Sequence, residues 1–121
     1  MSAIELGNYL KGTGAEQYHA CIEACVECVV SCEVCAEACL GADDVKGMVE
    51  CIRLCRDTTE ACVSAVIMLA RGSDRAAEIC RACADICEQC AAECERHGME
   101  ECRRCAEVCR RCAEECRKIA A

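Results

Sequence analysis

Cysteine is the residue type in this chain best able to do chemistry, and its spacing is regular. The chain has 121 residues, of which 19 are cysteine. In residues 21–39 six cysteines follow one another at steps of four and three, and the same steps recur in residues 80–94 and 102–116. Thiolates are nucleophiles and are preferred ligands of soft metals. The candidate metal ligands of this type are Cys21, Cys25, Cys28, Cys32, Cys35, Cys39, Cys51, Cys55, Cys62, Cys80, Cys83, Cys87, Cys90, Cys94, Cys102, Cys105, Cys109, Cys112 and Cys116.

Alternating steps of three and four are the heptad pattern of residues that face partner helices. The thiols therefore occupy positions where a helical bundle usually places leucine or isoleucine. One segment has a thinner cysteine column, because other residue types fill part of its pattern. That column reads Met48, Cys51, Cys55, Thr58, Cys62, Ala65 and Leu69.

Glycines and capping residues divide the chain into four helical segments. We predict helices over about residues 15–40, 43–71, 73–97 and 99–119, with Asp43 and Asp44 opening the second and Ser73 as the N-cap of the third. There is no proline, phenylalanine or tryptophan, and strong helix formers dominate. Short connections make consecutive helices antiparallel neighbours. The predicted fold is all-α, an up-down-up-down four-helix bundle with a cysteine-lined core.

The length suits one domain. We assign residues 14–121 to the bundle and residues 1–13 to a separate N-terminal segment. This segment contains Ile4, Leu6, Tyr9 and Leu10, and we expect a short amphipathic piece that covers the bundle or makes subunit contacts.

Charge and patterning restrict the partners and the compartment. The net charge is −8, which disfavours binding to nucleic acid or to anionic membranes. The start of the chain has no basic region followed by an apolar one, so we expect no signal peptide. The longest apolar stretch, residues 62–70, is too short to span a membrane. We therefore expect a cytoplasmic protein whose thiols stay reduced.

Several uses of so many cysteines can be compared. Buried cysteine also serves as a small hydrophobe, but leucine would bury more area. An odd number of cysteines cannot all pair as disulfides, and positions three or four apart on a helix suit a disulfide poorly. The bacterial ferredoxin run C-x₂-C-x₂-C-x₃-C is absent from the sequence. An iron–sulfur or zinc protein, acting as a metal sensor or in electron transfer, remains the alternative.

Charge balance favours copper. Desolvating many thiolates without a counter-charge costs several kcal/mol for each. A soft monovalent cation at about one per thiolate cancels this charge throughout the core, and thiolates select Cu(I). Divalent zinc at the same density would leave the core heavily positive. The sequence thus predicts multiple Cu(I) ions bound by the core cysteines.

The repeated C-x₃-C-x₂-C blocks on helical segments over residues 15–119 resemble those of the copper storage proteins, specifically their cytosolic bacterial branch. The resemblance implies a homotetramer of bundles, each filled with many Cu(I) ions held mainly by cysteine. It also implies histidine or methionine ligands near an open end.

The two ends of the predicted bundle differ in composition. One forms an apolar plug and gathers Tyr18, Leu69, Ala65, Ala76 and Ile119, with Met68 nearby. The other gathers Cys39, Cys51, Cys94 and Cys102 together with the three non-cysteine candidate ligands, which are Met48, His97 and Met99. We expect copper to enter and leave at this second end. His19 lies one place off the cysteine column and is expected at the surface.

The predicted function is cytosolic storage or sequestration of many Cu(I) ions, with exchange at one end of the bundle. We expect no enzymatic activity, because no nucleophile–base pair, phosphate loop or metal site with an open position is recognisable. Partners would be copper ions and a protein that delivers or accepts copper.

Overall fold

A computed structural model describes residues 3–121, with side chains from Glu5 onward, and residues 1 and 2 lie outside it. Among the described residues there are helices and no strands, as the sequence predicted. Two single 3₁₀ turns, Glu16–Tyr18 and Lys46–Met48, precede the second and third helices. The five helices are α1 (Ala3–Leu10), α2 (His19–Leu40), α3 (Val49–Ala70), α4 (Ala76–Cys94) and α5 (Glu100–Ala120).

The four long helices α2–α5 form an antiparallel bundle. Each packs against its two neighbours in a closed ring, with extensive contacts between α2 and α3, α3 and α4, α4 and α5, and α5 and α2. Short connections join consecutive helices, which is the condition for antiparallel neighbours. The predicted up-down-up-down bundle is confirmed.

The predicted starts of three helices are too early, since α2 begins at His19, α3 at Val49 and α4 at Ala76. Ser73 Oγ accepts a hydrogen bond from the backbone N–H of Arg75 at 3.1 Å, and α4 begins only at Ala76. Asp44 Oδ1 likewise accepts from the N–H of Gly47 at 3.2 Å, within the turn that precedes α3. Both side chains stabilise a tight turn next to the helix, because serine and aspartate bond the backbone two or three residues on in turns as well as at N-caps.

Gly72 ends α3 in a Schellman motif. Its φ is +66°, a conformation that glycine adopts without steric cost. Its N–H donates to the carbonyl of Leu69 at 3.0 Å, and the N–H of Ser73 donates to that of Met68 at 3.0 Å. These two bonds satisfy carbonyls that the helix end leaves unpaired. The chain can therefore reverse into α4 within a few residues.

The core is built mainly of cysteine and alanine. Every cysteine is at most 2% exposed, and the buried residues of α3 follow the predicted column, Thr58 included. Buried alanines accompany the cysteines on α4 and α5, namely Ala84, Ala91, Ala106 and Ala113. Small side chains at these flanks let the two helices approach closely.

The N-terminal helix α1 packs against the start of α2. Leu10 is buried, Leu6 is partly buried against the core, and Tyr9 is 71% exposed, while the side chain of Ile4 lies outside the described part. Gly7 lies against the ring of His19, since a Cβ at Gly7 would come 3.2 Å from its Cε1. His19 is therefore half-covered: its side chain is 37% exposed and its Nε2 lies 3.5 Å from Glu23 Oε2.

Within residues 3–121, none of the helices combines the length and the apolar character needed to cross a bilayer.

Candidate metal centre

The 19 cysteines, hereafter the sulfur column, lie along the axis of the bundle. Cysteines of α2 face those of α5 at every step. The column spans about 27 Å along α2 at about 1.5 Å per residue. The Sγ–Sγ distances of the α2–α5 pairs are 3.6 Å for Cys21–Cys116 and Cys25–Cys112, and 3.7 Å for Cys28–Cys109, Cys32–Cys105 and Cys35–Cys102.

A second ladder joins α3 to α4. Its Sγ–Sγ distances are 3.7 Å for Cys51–Cys94, 3.8 Å for Cys55–Cys90 and 3.7 Å for Cys62–Cys83. The two ladders touch where Cys62 lies 3.8 Å from Cys112 and where Cys39 lies 3.9 Å from Cys51. The sulfurs of all four long helices thus form one connected array.

Four-sulfur sets recur along this array. In most of them each long helix contributes one sulfur, and the four atoms all lie within 4.8 Å of one another. The sets include Cys25–Cys62–Cys83–Cys112, Cys28–Cys62–Cys87–Cys112, Cys32–Cys55–Cys90–Cys105, Cys35–Cys55–Cys94–Cys105 and Cys35–Cys39–Cys51–Cys102.

These spacings suit thiolate-bound metal. With a metal–sulfur bond of about 2.3 Å, two sulfurs on one ion are about 4.6 Å apart when linear, about 4.0 Å when trigonal and about 3.8 Å when tetrahedral. The ladder distances lie close to the last two values. Spacing alone therefore admits both a three-coordinate and a four-coordinate ion, and the choice depends on the density of charge.

Burial disfavours the thiolate form of the cysteines in the sulfur column. Burial, together with repulsion from the thiolates of Cys51 and Cys102, raises the pKa of Cys39 to about 12. Burial also raises the pKa of Cys102. A low-dielectric core disfavours the charged form of any acid. The sulfurs can therefore become thiolates together only when cations replace their protons.

The sulfur column is also free of disulfides. All 19 cysteines lie within the described residues, and each is a free thiol. Because all of them are buried, reagents in solution reach them poorly.

Thr58 takes the place of a cysteine in α3. It is fully buried, and its Oγ1 donates a hydrogen bond to the carbonyl of Leu54 at 2.7 Å. The hydroxyl is thereby satisfied within its own helix. Thr58 is a gap in the sulfur column and carries no soft ligand.

One end of the bundle, hereafter the open end, carries Cys39, Cys51, Cys94 and Cys102. Cys39 lies 3.8 Å from Cys102, and Cys51 bridges to both Cys39 and Cys94. Met48 is buried here at 7% exposure, and Met99 packs partly buried against the same core. The two thioethers are thus placed at the end that the sequence predicted, and their role as ligands stays a prediction.

His97, the third non-cysteine candidate, is held by a carboxylate that the sequence analysis missed. Its Nε2 lies 2.8 Å from Glu93 Oε2, and the two side chains are 17% and 9% exposed. The other carboxylate oxygen, Oε1, accepts from Arg96 at 3.1 Å. The signal that could have found Glu93 is its position four residues before His97, because side chains at this spacing lie one above the other on a helix.

The opposite end, hereafter the closed end, is apolar. Leu69 and Ala65 are fully buried, Ala76 is 4% exposed, and Tyr18 and Ile119 pack partly buried around them. The predicted apolar plug is confirmed.

Comparison with known proteins relates this chain to a protein family. The profile of the copper storage protein family, Csp, matches residues 14–121. A search of curated protein sequences finds no significant match.

Solved structures of high similarity include those of two relatives. The Cu(I)-bound copper storage protein BsCsp3 is 43% identical, with a TM-score of 0.81 over 84% of this chain and 96% of that chain. Apo-Csp3 from Bacillus subtilis gives the same identity, with a TM-score of 0.78 over 84% and 97%.

The second relative is the copper storage protein Ccsp from Streptomyces lividans. Its structure loaded with 10 copper equivalents is 32% identical, with a TM-score of 0.86 over 98% of each chain. A structure from the same organism, of a cytosolic copper storage protein with five coppers, is 34% identical, with a TM-score of 0.84 over 88% and 94%. The match runs through all four cysteine-bearing helices, and this chain belongs to the copper storage protein family.

Proposed function

We propose that this protein stores Cu(I), many ions per chain, on the thiolates of the sulfur column. The observation that carries the proposal is the connected array of buried, free thiols, arranged in overlapping four-sulfur sets within 4.8 Å. All 19 cysteines are the proposed ligands. No catalytic step is part of the proposal.

Charge selects the cargo. Each bound Cu(I) replaces about one proton, so a filled core of thiolates and monovalent ions stays near neutrality. Zn²⁺ at the same density would add about one excess positive charge per ion, which a dry core does not tolerate. The Cu(I)-bound relative BsCsp3 and the Ccsp structure with 10 copper equivalents support the same choice.

Copper exchanges at the open end in this proposal. Met48, His97 and Met99 supply a soft thioether pair and an imidazole beside Cys39, Cys51, Cys94 and Cys102. The Glu93 carboxylate accepts the Nε2–H of His97, which leaves Nδ1 as the nitrogen able to bind Cu(I). The closed end offers apolar side chains in their place. A protein that delivers or accepts copper would dock at the open end, in the cytosol, as named for the relative with five coppers.

We further propose that copies of the chain associate through an apolar surface on α2 and α3, hereafter the valine face. The side chains are 41–59% exposed in the isolated chain and consist of Val26, Val30, Val34, Val63 and Ile67. Between the two helices they continue into a groove lined only by apolar residues. A second copy is the partner, since the same face on both chains is self-complementary under two-fold symmetry. In a homotetramer, which the family resemblance implies, the four chains would form two pairs, and each pair would be joined by one contact between valine faces.

An anaerobic titration tests the storage proposal. The reduced chain is titrated with Cu(I) in competition with a chromophoric Cu(I) chelator, and a parallel titration uses Zn²⁺ with a chromophoric zinc chelator. Uptake of well over about ten Cu(I) per chain, set by about one ion per thiolate, supports storage. Saturation at a few Cu(I) equivalents, or tighter and more extensive uptake of Zn²⁺, would contradict it.

A further inference from the structure

We infer that Thr58 divides the sulfur column into two compartments, and that Cu(I) passes between them along Cys28, Cys32 and Cys109. The inference rests on the proposed storage function and deepens it, because it concerns how ions reach the far half of the core. It makes Thr58 a positioning residue for the cargo, although Thr58 binds no metal itself.

The gap lies near the middle of α3. Cys55 and Cys62 flank Thr58 at three and four residues, about 10.5 Å apart along the helix axis at about 1.5 Å per residue. The Thr58 hydroxyl is fully buried and bonded to the carbonyl of Leu54. It therefore offers the core a methyl group where α2, α4 and α5 offer sulfur.

The four-sulfur sets on the two sides of Thr58 use different α3 sulfurs. Toward the closed end, Cys62 takes part in at least two sets, one of which contains Cys28 and Cys87. Toward the open end, Cys55 takes part in at least two sets, one of which contains Cys32 and Cys90. Cys55 and Cys62 thus each contribute to the sets on their own side of Thr58. At the level of Thr58 itself, hereafter the middle layer, α3 contributes no sulfur.

The α2 and α5 helices keep that middle layer connected. Cys28 lies 3.9 Å from Cys32 and 3.7 Å from Cys109, and Cys32 lies 3.8 Å from Cys109. Cys109 in turn lies 3.8 Å from Cys105. We call Cys28, Cys32 and Cys109 the α2–α5 bridge. Their sulfurs are close enough to share metal ions, and they connect the four-sulfur sets of the open end with those of the closed end.

Passage along the bridge is a ligand exchange. A Cu(I)–sulfur bond to the next thiol forms as one to the previous sulfur breaks, the proton of the accepting thiol moves to the vacated thiolate or to water, and copper remains Cu(I). Three sulfurs in the middle layer offer fewer exchange partners than four. We therefore expect uptake in two phases, a fast one that fills the open-end compartment and a slow one that fills the closed-end compartment.

Restoring the missing sulfur tests the inference. Uptake from the chromophoric chelator is followed by anaerobic stopped flow for the wild type, Thr58→Cys and the matched control Thr58→Ser, which keeps the hydroxyl. We expect two phases in the wild type and in Thr58→Ser. In Thr58→Cys they merge into one, with capacity higher by about one Cu(I), at about one ion per thiolate. A single phase in the wild type, or a Thr58→Cys time course that matches Thr58→Ser, would overturn the inference.

Breaking the bridge gives the converse test. Cys28→Ser/Cys109→Ser and Cys25→Ser/Cys83→Ser each remove two ligands and should each lower the total uptake, but only Cys28→Ser/Cys109→Ser, which breaks the bridge, should also slow the second phase. Equal second-phase rates in the two double variants would refute the bridge. Failure of storage itself is recognised separately, as a low total uptake in the wild type whatever the number of phases.

Discussion

His97 and Glu93 lie one helical turn apart at the end of α4, with Nε2 and Oε2 separated by 2.8 Å and both side chains largely buried. A carboxylate that accepts from one nitrogen of a histidine fixes the tautomer and the orientation of the ring. In the proposed exchange site, this contact would orient the ring of His97 and leave its Nδ1 available to bind Cu(I).

Replacing Glu93 should slow copper uptake without changing how much is stored. We expect Glu93→Ala to lower the initial loading rate by about tenfold, the lower range for loss of a group that orients a metal ligand. The total Cu(I) capacity should be unchanged, because the cysteines remain. ¹⁵N NMR of His97 in the metal-free protein should also report a loss of the Nε2–H tautomer.

Arg96→Ala is the matched control for Glu93→Ala. Arg96 contacts the other carboxylate oxygen of Glu93 but its side chain is 75% exposed, and exposed ion pairs contribute little. Loading by Arg96→Ala should match the wild type. A Glu93→Ala protein that loads at the wild-type rate would remove His97 and Glu93 from the copper path.

The closed end should matter for stability alone. Leu69 is fully buried and among the largest side chains in the core, so Leu69→Ala should lower the free energy of unfolding of the metal-free protein by about 2–5 kcal/mol. Chemical denaturation under reducing conditions measures this. Tyr9→Ala, at a site 71% exposed, should cost far less. A large loss of Cu(I) capacity in folded Leu69→Ala would show that the plug takes part in binding.

Copper affinity should rise with pH. Burial favours the protonated form of the thiols, as the raised pKa of Cys39, about 12, illustrates, and each thiol that binds copper must first lose its proton. Acidification therefore favours the metal-free form. Loading in weakly buffered solution should release about one proton per thiolate engaged. Competition with the chelator should show weaker Cu(I) binding at about pH 6 than at about pH 8. Uptake without proton release would indicate thiolates that already exist in the empty core.

Disrupting the valine face should dissociate the proposed oligomer and leave the storage of Cu(I) unchanged. Val30 is 59% exposed, so Val30→Glu leaves the core intact while placing a charge in the proposed contact, where its desolvation is costly. Sedimentation should show a lower mass than the wild type, with Cu(I) capacity per chain retained. Tyr9→Glu, a similar change on α1, should keep the wild-type mass. A Val30→Glu protein of wild-type mass would place the contact elsewhere.

Loaded protein should be markedly more stable than empty protein. A ligand that binds only the folded chain stabilises it by about 4 kcal/mol per independent site when its free concentration is about 1,000 times Kd. Calorimetry should therefore show a higher melting temperature on loading, returning to the original value once a strong Cu(I) chelator has stripped the metal. Equal melting temperatures would mean that copper binds outside the folded core.

The periodicity of the cysteines was sufficient to predict the bundle and its core. Steps of three and four place Cys21 and Cys39 on one face of α2. The burial of all the remaining cysteines follows from the same rule. The sequence also predicted which residues of α3 face the core, Thr58 and Leu69 included, because the heptad register does not depend on residue type.

Capping and polar pairing were harder to predict. Ser73 has the chemistry of an N-cap, and only the backbone geometry decides that it bonds Arg75 ahead of the helix. Glu93 reads as one more surface carboxylate among 22 acidic residues. Its burial depends on how α4 is rotated against its neighbours, which a single sequence does not specify.

Large side chains are nearly absent from the middle of this bundle, and for this reason the lifetime of the protein should depend on how much copper it holds. An interior of cysteine and alanine gains less from burial than one of leucine, so an emptied chain unfolds more readily and is the form that proteases degrade first. Loading with copper would thereby lengthen the lifetime of a chain, and loss of copper would shorten it.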